Sequence, residues 1–394
     1  MSAAPVLSSV SNPPAAQVGL NIPTAALIAA IVNSCEGVSD LIFSPGRPPQ
    51  VEANGRLVGV NVPGLKVLTP ADTARIAAAL LAESPEAAQM LKEQGAADLS
   101  YSIPQVSRFR VNIFRQRGTY AIVMRIIPSR IPTFDELKLP QELKKIAFLK
   151  NGIVLVTGAA GSGKSSTLAA IIDLINSTHA LHIITVEDPI EFVHPHKKAT
   201  IHQRELHSDT FSFASALRSA MRQAPKVILV GEMRDKETIE IALMAAETGH
   251  LVLSSLHTID AAKTVERILG AFQPSEQGAV RARLAASFRY FVAQRLLPRK
   301  DRKGRVAAFE VLKATMRTQS YIERGECDGR SLADAIRDGD QEGMQSFDAE
   351  LERFVREGTV DLHTALQYAT NEGNLRLSLT DLAGDSSADS GEQL

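Results

Sequence analysis

A chain of 394 residues with 44% hydrophobic and 22% charged side chains has an ordinary globular composition and is long enough for two or three domains with a large core. Its net charge of −1 argues against a chain that binds nucleic acid through bulk positive charge, while leaving room for a local basic surface. Its two cysteines, Cys35 and Cys327, form no CxxC pair; neither a zinc ribbon nor a disulfide scaffold is supported, which suits a reducing cytosol.

Residues 1–20 are rich in Ala, Ser, Pro and Val without a charged side chain and read as a flexible lead. They lack the basic and apolar regions of a secretory signal, and no apolar run approaches the ~18 residues that span a bilayer. Direct membrane insertion is therefore not expected. Residues 21–130 open on a helical pattern at 25–32 and continue with strand-like segments at 40–43, 50–52, 56–60, 107–115 and 120–127, the pattern of a small α/β or α+β domain. Alternation along 108–113 puts Arg108, Arg110 and Asn112 on one face and Phe109, Val111 and Ile113 on the other. A proline-punctuated linker spans 131–145.

Residues 146–311 alternate strands, at 153–156, 182–186, 227–230 and 251–254, with longer helical segments. That order predicts a parallel sheet binding its ligand beyond the carboxyl ends of the strands. A helical region at 312–379 and an acidic, Ser/Gly/Asp-rich tail at 380–394 complete the chain. There is no internal repeat.

The sequence Gly158-Ala159-Ala160-Gly161-Ser162-Gly163-Lys164-Ser165 fits the GxxxxGK[ST] phosphate-binding loop, and Ser166 continues into the following helix. A strand before it and a helix after it give the match its meaning. Its glycines let backbone N–H groups turn inward on phosphate oxygens, and the helix start adds a positive dipole end. Lys164 is placed to reach the β- and γ-phosphates of ATP, and the Ser165 hydroxyl to ligate Mg²⁺.

Hydrolysis also needs acids. Glu187, Asp188 and Glu191 follow one apolar strand, and Glu232 follows another, one residue later than a Walker B acid usually stands and after a glycine. One such carboxylate can hold Mg²⁺ while another orients the attacking water. His250 and His257 flank the short apolar strand between them; either imidazole is open to a phosphate, a catalytic carboxylate or a purely structural bond. His194, His196, His202 and His207 lack a recognised metal-ligand spacing.

These segments together resemble the type IV pilus and type II secretion ATPase superfamily, above all its PilT/PilU-type twitching-motility retraction branch, from about residue 21 to about 375. The matching stretches are the phosphate loop, 184–191, 227–235, 249–257, 203–205, 216–218, 343–348 and 46–49. The resemblance implies a RecA-like P-loop ATPase core with a smaller PAS-like α/β N-terminal domain and a helical C-terminal region, working as a cytoplasmic homo-hexamer at the inner face of the inner membrane. It implies Glu191 as general base, Glu232 as the Mg²⁺-associated acid, and His250 and His257 as links to neighbouring elements. It implies also that Arg108, Arg110 and Arg125 approach phosphates bound by an adjacent subunit, although a solvated face accounts for those arginines equally well. Implied partners are an inner-membrane pilus platform protein and a paralogous retraction ATPase, with no nucleic acid; a RecA-like nucleic-acid translocase is disfavoured by the charge and by the lack of a basic-aromatic run.

The absence of a tetracysteine insertion separates the chain from extension and secretion members. At 315–324, where the retraction branch carries Ala-Ile-Arg-Asn-Leu-Ile, the chain reads Thr-Met-Arg-Thr-Gln-Ser-Tyr-Ile-Glu-Arg. This departure, with 371–377, keeps open a PilU-like accessory ATPase beside the leading reading, a motor that retracts the pilus by disassembling pilin at its base.

Overall fold

The computed structural model describes residues 22–53, 56–82, 84–128, 130–301, 304–327 and 330–380. The lead expected at 1–20 and all of the expected acidic tail except Thr380 lie outside them. The chain divides into two compact units, Met1–Ile127 and Pro128–Leu394.

The first unit is an antiparallel sheet of β1 (Val38–Phe43), β2 (Gln50–Ala53), β3 (Arg56–Gly59), β4 (Ala96–Ile103), β5 (Ser107–Gln116) and β6 (Thr119–Ile127). Its spatial order is β3-β2-β1-β6-β5-β4. Among the described residues three helices accompany it: α1 (Thr24–Val32), α2 (Pro70–Leu81) and α3 (Pro85–Gln94). Local sequence sets the helix ends. Thr69 and Asp72 form a reciprocal capping box with Pro70 in the first turn of α2, and Ser84 caps α3, which stops at Gly95 in the left-handed conformation. In β5 the period of two holds: Phe109, Val111 and Ile113 are fully buried with Leu27, Ile28 and Ile76, while Arg110 is exposed.

The second unit is built on a seven-stranded sheet in the order β13-β12-β7-β11-β10-β8-β9. The strands are β7 (Gly152–Thr157), β8 (His182–Glu187), β9 (Thr200–Glu205), β10 (Val227–Val230), β11 (Leu251–Leu256), β12 (Phe288–Pro298) and β13 (Arg305–Lys313). From β12 to β9 every pairing is parallel, and only β13 runs antiparallel, against β12. Parallel strands covered on both faces read as continuous apolar runs, and β7 is buried at every position. Ile153 and Leu155 join the core on one face with α5 (Phe213–Ala220), α6 (Lys236–Glu247), α7 (Ala261–Leu269) and α8 (Pro274–Ser287). Val154 and Val156 pack on the other with α4 (Lys164–Thr178) and a 3-10 helix at Gln141–Phe148.

Sequence periodicity missed β4, β9, β12 and β13 as strands, because polar residues break the pattern that marked the others. It also opened the helical region at 312, whereas β13 continues through Lys313 and the first following helix is Met316–Arg324. Among the described residues five short helices follow β13: α9 (Met316–Arg324), α10 (Leu332–Asp338), α11 (Phe347–Arg356), α12 (Leu362–Tyr368) and α13 (Glu372–Ser378). Phe347, Leu351 and Phe354 of α11 share a core with Ala293, Leu297, Val306 and Ala308 of β12 and β13.

The two faces of β5 should respond differently to truncation. Phe109→Ala is expected to cost about 3–5 kcal/mol and Arg110→Ala less than about 0.5 kcal/mol, read from the unfolding transition of the first unit by calorimetry; equal costs would contradict the assigned alternation.

Candidate active site

Because β7, β8, β10 and β11 are parallel, their carboxyl ends open on one side of the sheet, where ligands of such sheets bind. Strand β7 ends at Thr157 and the chain turns through the loop 158–163 into α4. The turn requires its glycines. Gly158 has φ +146 and a Cβ there would stand 2.4 Å from the Gln294 carbonyl oxygen; at Gly163, φ +92, it would stand 2.8 Å from Gln294 Nε2. Gly163 occupies the N-cap of α4 in a left-handed conformation with no side-chain cap, so the first-turn N–H groups keep their capacity for an outside acceptor. The Ser162 hydroxyl, buried within the loop, has no hydrogen-bond partner. This cradle fits an oxyanion.

The buried Lys164 ammonium folds back on the loop, donating to the carbonyls of Gly158 at 2.9 Å and Ala159 at 3.0 Å. Burial lowers its pKa, and the charges of Glu232 and Glu191 pull in the opposite direction. His257 joins lysine to acid: its Nδ1 lies 3.4 Å from Lys164 Nζ and its Nε2 3.5 Å from Glu232 Oε2. Glu232 also accepts from Arg234 Nε at 2.7 Å.

The late position of Glu232 has a steric origin. Gly231 runs close against the neighbouring strand, donating its N–H to Val186 O, and a Cβ on it would lie 3.3 Å from Glu187 Cα. The glycine lets the chain pass this contact before the acid turns toward the loop, and the Ser255 hydroxyl fixes its carbonyl at 2.7 Å.

A cavity of about 430 Å³ gathers Ala160, Gly161, Gly163, Lys164, Ser165 and Ser166 with Glu187, Asp188, Glu191, Glu232 and His257. Gly158, Ala159 and Ser162 instead line a neighbouring space of about 300 Å³ with Gln294, Arg295 and Tyr368; Ala160 and Gly161 line both. The structure therefore brings the loop together with four acids from two other segments of the sequence, 187–191 and 232.

His250 does not join them. It precedes β11 whereas His257 follows it, so the six residues of the strand hold the two about 20 Å apart. His250 Nδ1 instead donates to the Ala245 carbonyl at the end of α6, at 2.9 Å. Flanking one strand in sequence means standing at opposite ends of it in space. In the first unit, Arg125 donates to the buried Asp40 at 2.8 Å, Arg110 faces it across the β5–β6 pairing and is exposed, and Arg108 is half-buried.

Several contributors carried no motif. Gln294 of β12 accepts from Thr167 of α4 at 2.8 Å and backs both loop glycines. Phe192, His194 and Phe213 also line the cavity. Burial drags the His194 imidazole down to about 4, which keeps it neutral. Gln294 and Phe213 are brought in by distant elements, while Phe192 and His194 enter with the segment that carries Glu191.

For magnesium, Ser165 and Glu232 both face the cavity, but among the described residues no cluster of three or more His, Cys, Asp or Glu could hold a metal. Mg²⁺ commonly takes one or two carboxylates and completes its shell with phosphate oxygens and water. The donor set thus fits an ion arriving with a nucleotide rather than a resident metal.

The model of the type II/IV secretion system protein family matches residues 80–367. The chain is 48% identical over 278 residues to the twitching motility protein of Neisseria gonorrhoeae, covering 71% of this chain and 74% of that one. Against the type IV pilus retraction ATPase PilT of Pseudomonas aeruginosa the identity is 41% over 335 residues, covering 85% and 95%; against the type IV pilus ATPase PilU of the same organism it is 38% over 354 residues, covering 90% and 91%. The crystal structure of the pilus retraction motor PilT with bound ADP superimposes with a TM-score of 0.79 at 39% identity, over 89% of this chain and 99% of that one.

The half-buried Glu187 supplies a pH test. Burial raises it to about 7 from 4.5, against hydrogen bonds from Thr185, Gln203 and the Glu191 backbone. Between those values the folded chain holds a proton that the unfolded chain has released, so this group's contribution to stability falls as pH rises through the window. Glu187→Gln should therefore raise Tm relative to the parent more at pH 8 than at pH 5, without nucleotide; an equal difference at both would mean that the carboxyl titrates normally.

Proposed function

The chain belongs to the type II/IV secretion system protein family, and from that membership we infer an ATP-hydrolysing motor that powers type IV pilus retraction, the basis of twitching motility. The observation that carries the reading is the convergence of Lys164, Glu191, Glu232 and His257 with the phosphate loop in one cavity. Among relatives, the retraction ATPase and the twitching motility protein exceed the PilU-type ATPase in identity, which favours the motor over the accessory reading.

ATP would seat its phosphates on the loop N–H groups. Lys164 would exchange its two carbonyl partners for phosphate oxygens, a charge-assisted and stronger set. Glu191 is exposed and faces the cavity, where it would accept the proton of the attacking water. Mg²⁺, when bound with the nucleotide through Ser165 and Glu232, would neutralise charge developing on the phosphates. His257, between Lys164 and Glu232, would tie the lysine's position to that acid.

The reading extends to a cytoplasmic homo-hexamer at the inner face of the inner membrane, engaging a pilus platform protein and a paralogous ATPase. Among the described residues no helix is long and apolar enough to cross a membrane, so membrane work would pass through a partner. In a ring, arginines of the first unit, with Arg108, Arg110 and Arg125 as the candidates, would meet phosphates of the adjacent subunit and stabilise transition-state charge.

Two measurements test this. Glu191→Gln should lower ATPase kcat by about 100-fold or more while retaining ATP binding, and Lys164→Ala should lose binding as well; near-parental turnover by Glu191→Gln would remove it as the base. For the arginines, an inactive Arg108→Ala/Arg110→Ala double variant mixed with inactive Lys164→Ala should regain part of the activity, because each supplies what the other lacks. No recovery, under conditions where subunits exchange, would take these arginines out of a shared site.

A further inference from the structure

The Glu191 carboxylate receives no hydrogen bond from another side chain among those described, so its position follows from the backbone that carries it. That backbone is gripped from one strand. β9 lies parallel to β8 with Gln203 opposite Thr185 and Glu205 opposite Glu187, and residues two apart on a strand share a face. Gln203 Nε2 donates to Glu187 Oε1 at 3.1 Å and to the Phe192 carbonyl at 2.8 Å, while its Oε1 accepts the His194 N–H at 2.8 Å. The buried Glu205 accepts the Ile190 N–H at 2.9 Å. Four attachments thus bracket Glu191, at 187 and 190 before it and at 192 and 194 after it.

We propose that Gln203, supported by Glu205, is a positioning residue for hydrolysis: it fixes the backbone after Glu191, at Phe192 and His194, and holds the Glu187 side chain before it, while Glu205 holds the Ile190 N–H, and together they set where the Glu191 carboxylate meets the attacking water. The proposal rests on the reading of Glu191 as the base. Gln203 does not line the cavity and is given no contact with the nucleotide, so it acts through the loop alone. Its side chain is suited to the task because one amide both donates and accepts, whereas a carboxylate in its place would supply only acceptors to Glu187 and to the Phe192 carbonyl, both of which need a donor.

The test compares Gln203→Ala and Gln203→Glu with the parent in steady-state ATPase assays, alongside equilibrium binding of a fluorescent non-hydrolysable ATP analogue and thermal unfolding. The expected result is a kcat lower by about 10- to 100-fold, the order that a misplacement of about 1 Å can cost, with KM and analogue Kd within about twofold of the parent. Gln203→Glu keeps the side-chain volume and the acceptor for His194, which guards against a variant that simply fails to fold. Parental kcat in both variants, with Glu191→Gln inactive, would overturn the clamp and leave the proposed function standing. Loss of analogue binding in step with kcat would overturn it too, because it would mark general damage to the pocket. If Glu191→Gln keeps parental turnover, the base assignment fails and the clamp with it.

Discussion

The placement of strand β7 governs everything else in the second unit. All six of its residues, from Gly152 to Thr157, are buried, with parallel neighbours on both edges and an apolar core on each face. A strand with no exposed side has a single register that satisfies its backbone and its side chains together. Its chain direction then fixes where the phosphate loop emerges. Parallel pairing across β11, β10 and β8 carries the same direction outward, so the residues after each strand arrive at the same edge without any attraction between them. The acids converge because the apolar strands behind them pair.

Convergence has an electrostatic cost, and the site shows how it is met. Burial disfavours the charged form of Lys164, and the nearby carboxylates of Glu232 and Glu191 favour it. The ammonium is held meanwhile by two loop carbonyls, partners that a phosphate can displace. Glu187, by contrast, is raised to about 7 even though it accepts from Thr185 and Gln203, because desolvation outweighs those bonds. Acids in one cavity therefore do different work: the enclosed Glu187 anchors the loop, while the exposed Glu191 remains accessible to water.

What was legible in the sequence was what is local. The phosphate loop could be read because its glycines, lysine and helix start lie within a few residues, and β5 because a period of two is visible in any window. Glu232 could be found but not explained, since the reason for Gly231 is a contact with Glu187 Cα on another strand. The sequence leaves His250 open to a phosphate, a carboxylate or a structural bond, and only its place at the far end of β11 from His257 selects the last, a bond to the Ala245 carbonyl. Gln203 lies in a stretch that carries the resemblance, yet nothing in that stretch says what its amide holds; Gln294 is an isolated glutamine without periodic or charge signal, and it meets Thr167 across 127 positions. In physical terms, groups that perform chemistry need rare residue types in fixed patterns, whereas groups that hold them need only a donor or acceptor at the correct end of a strand.

The hairpin of β12 and β13 shows how such supports combine. β12 runs past the end of β7, with Ala293 opposite Thr157, which leaves Gln294 beside the loop and against Thr167 of α4. The next residue, Arg295, points elsewhere: its guanidinium lies 3.8 Å from the centre of the Phe347 ring and donates to the Tyr368 carbonyl, joining α11 and the end of α12. Across the hairpin, the buried Glu310 accepts the Ala261 N–H at 2.9 Å, holding the start of α7, where the chain arrives from His257. Burial raises the Glu310 carboxyl to about 7, with the charge of Arg295 acting against the rise. Three parts of the unit, the phosphate loop, the segment after His257 and the C-terminal helices, thus rest on one pair of antiparallel strands. Because adjacent strand residues face opposite ways, Gln294 and Arg295 serve two sides of that pair: moving the loop breaks the buried bond between Gln294 and Thr167, and moving the helices breaks the part-buried bond from Arg295 to the Tyr368 carbonyl.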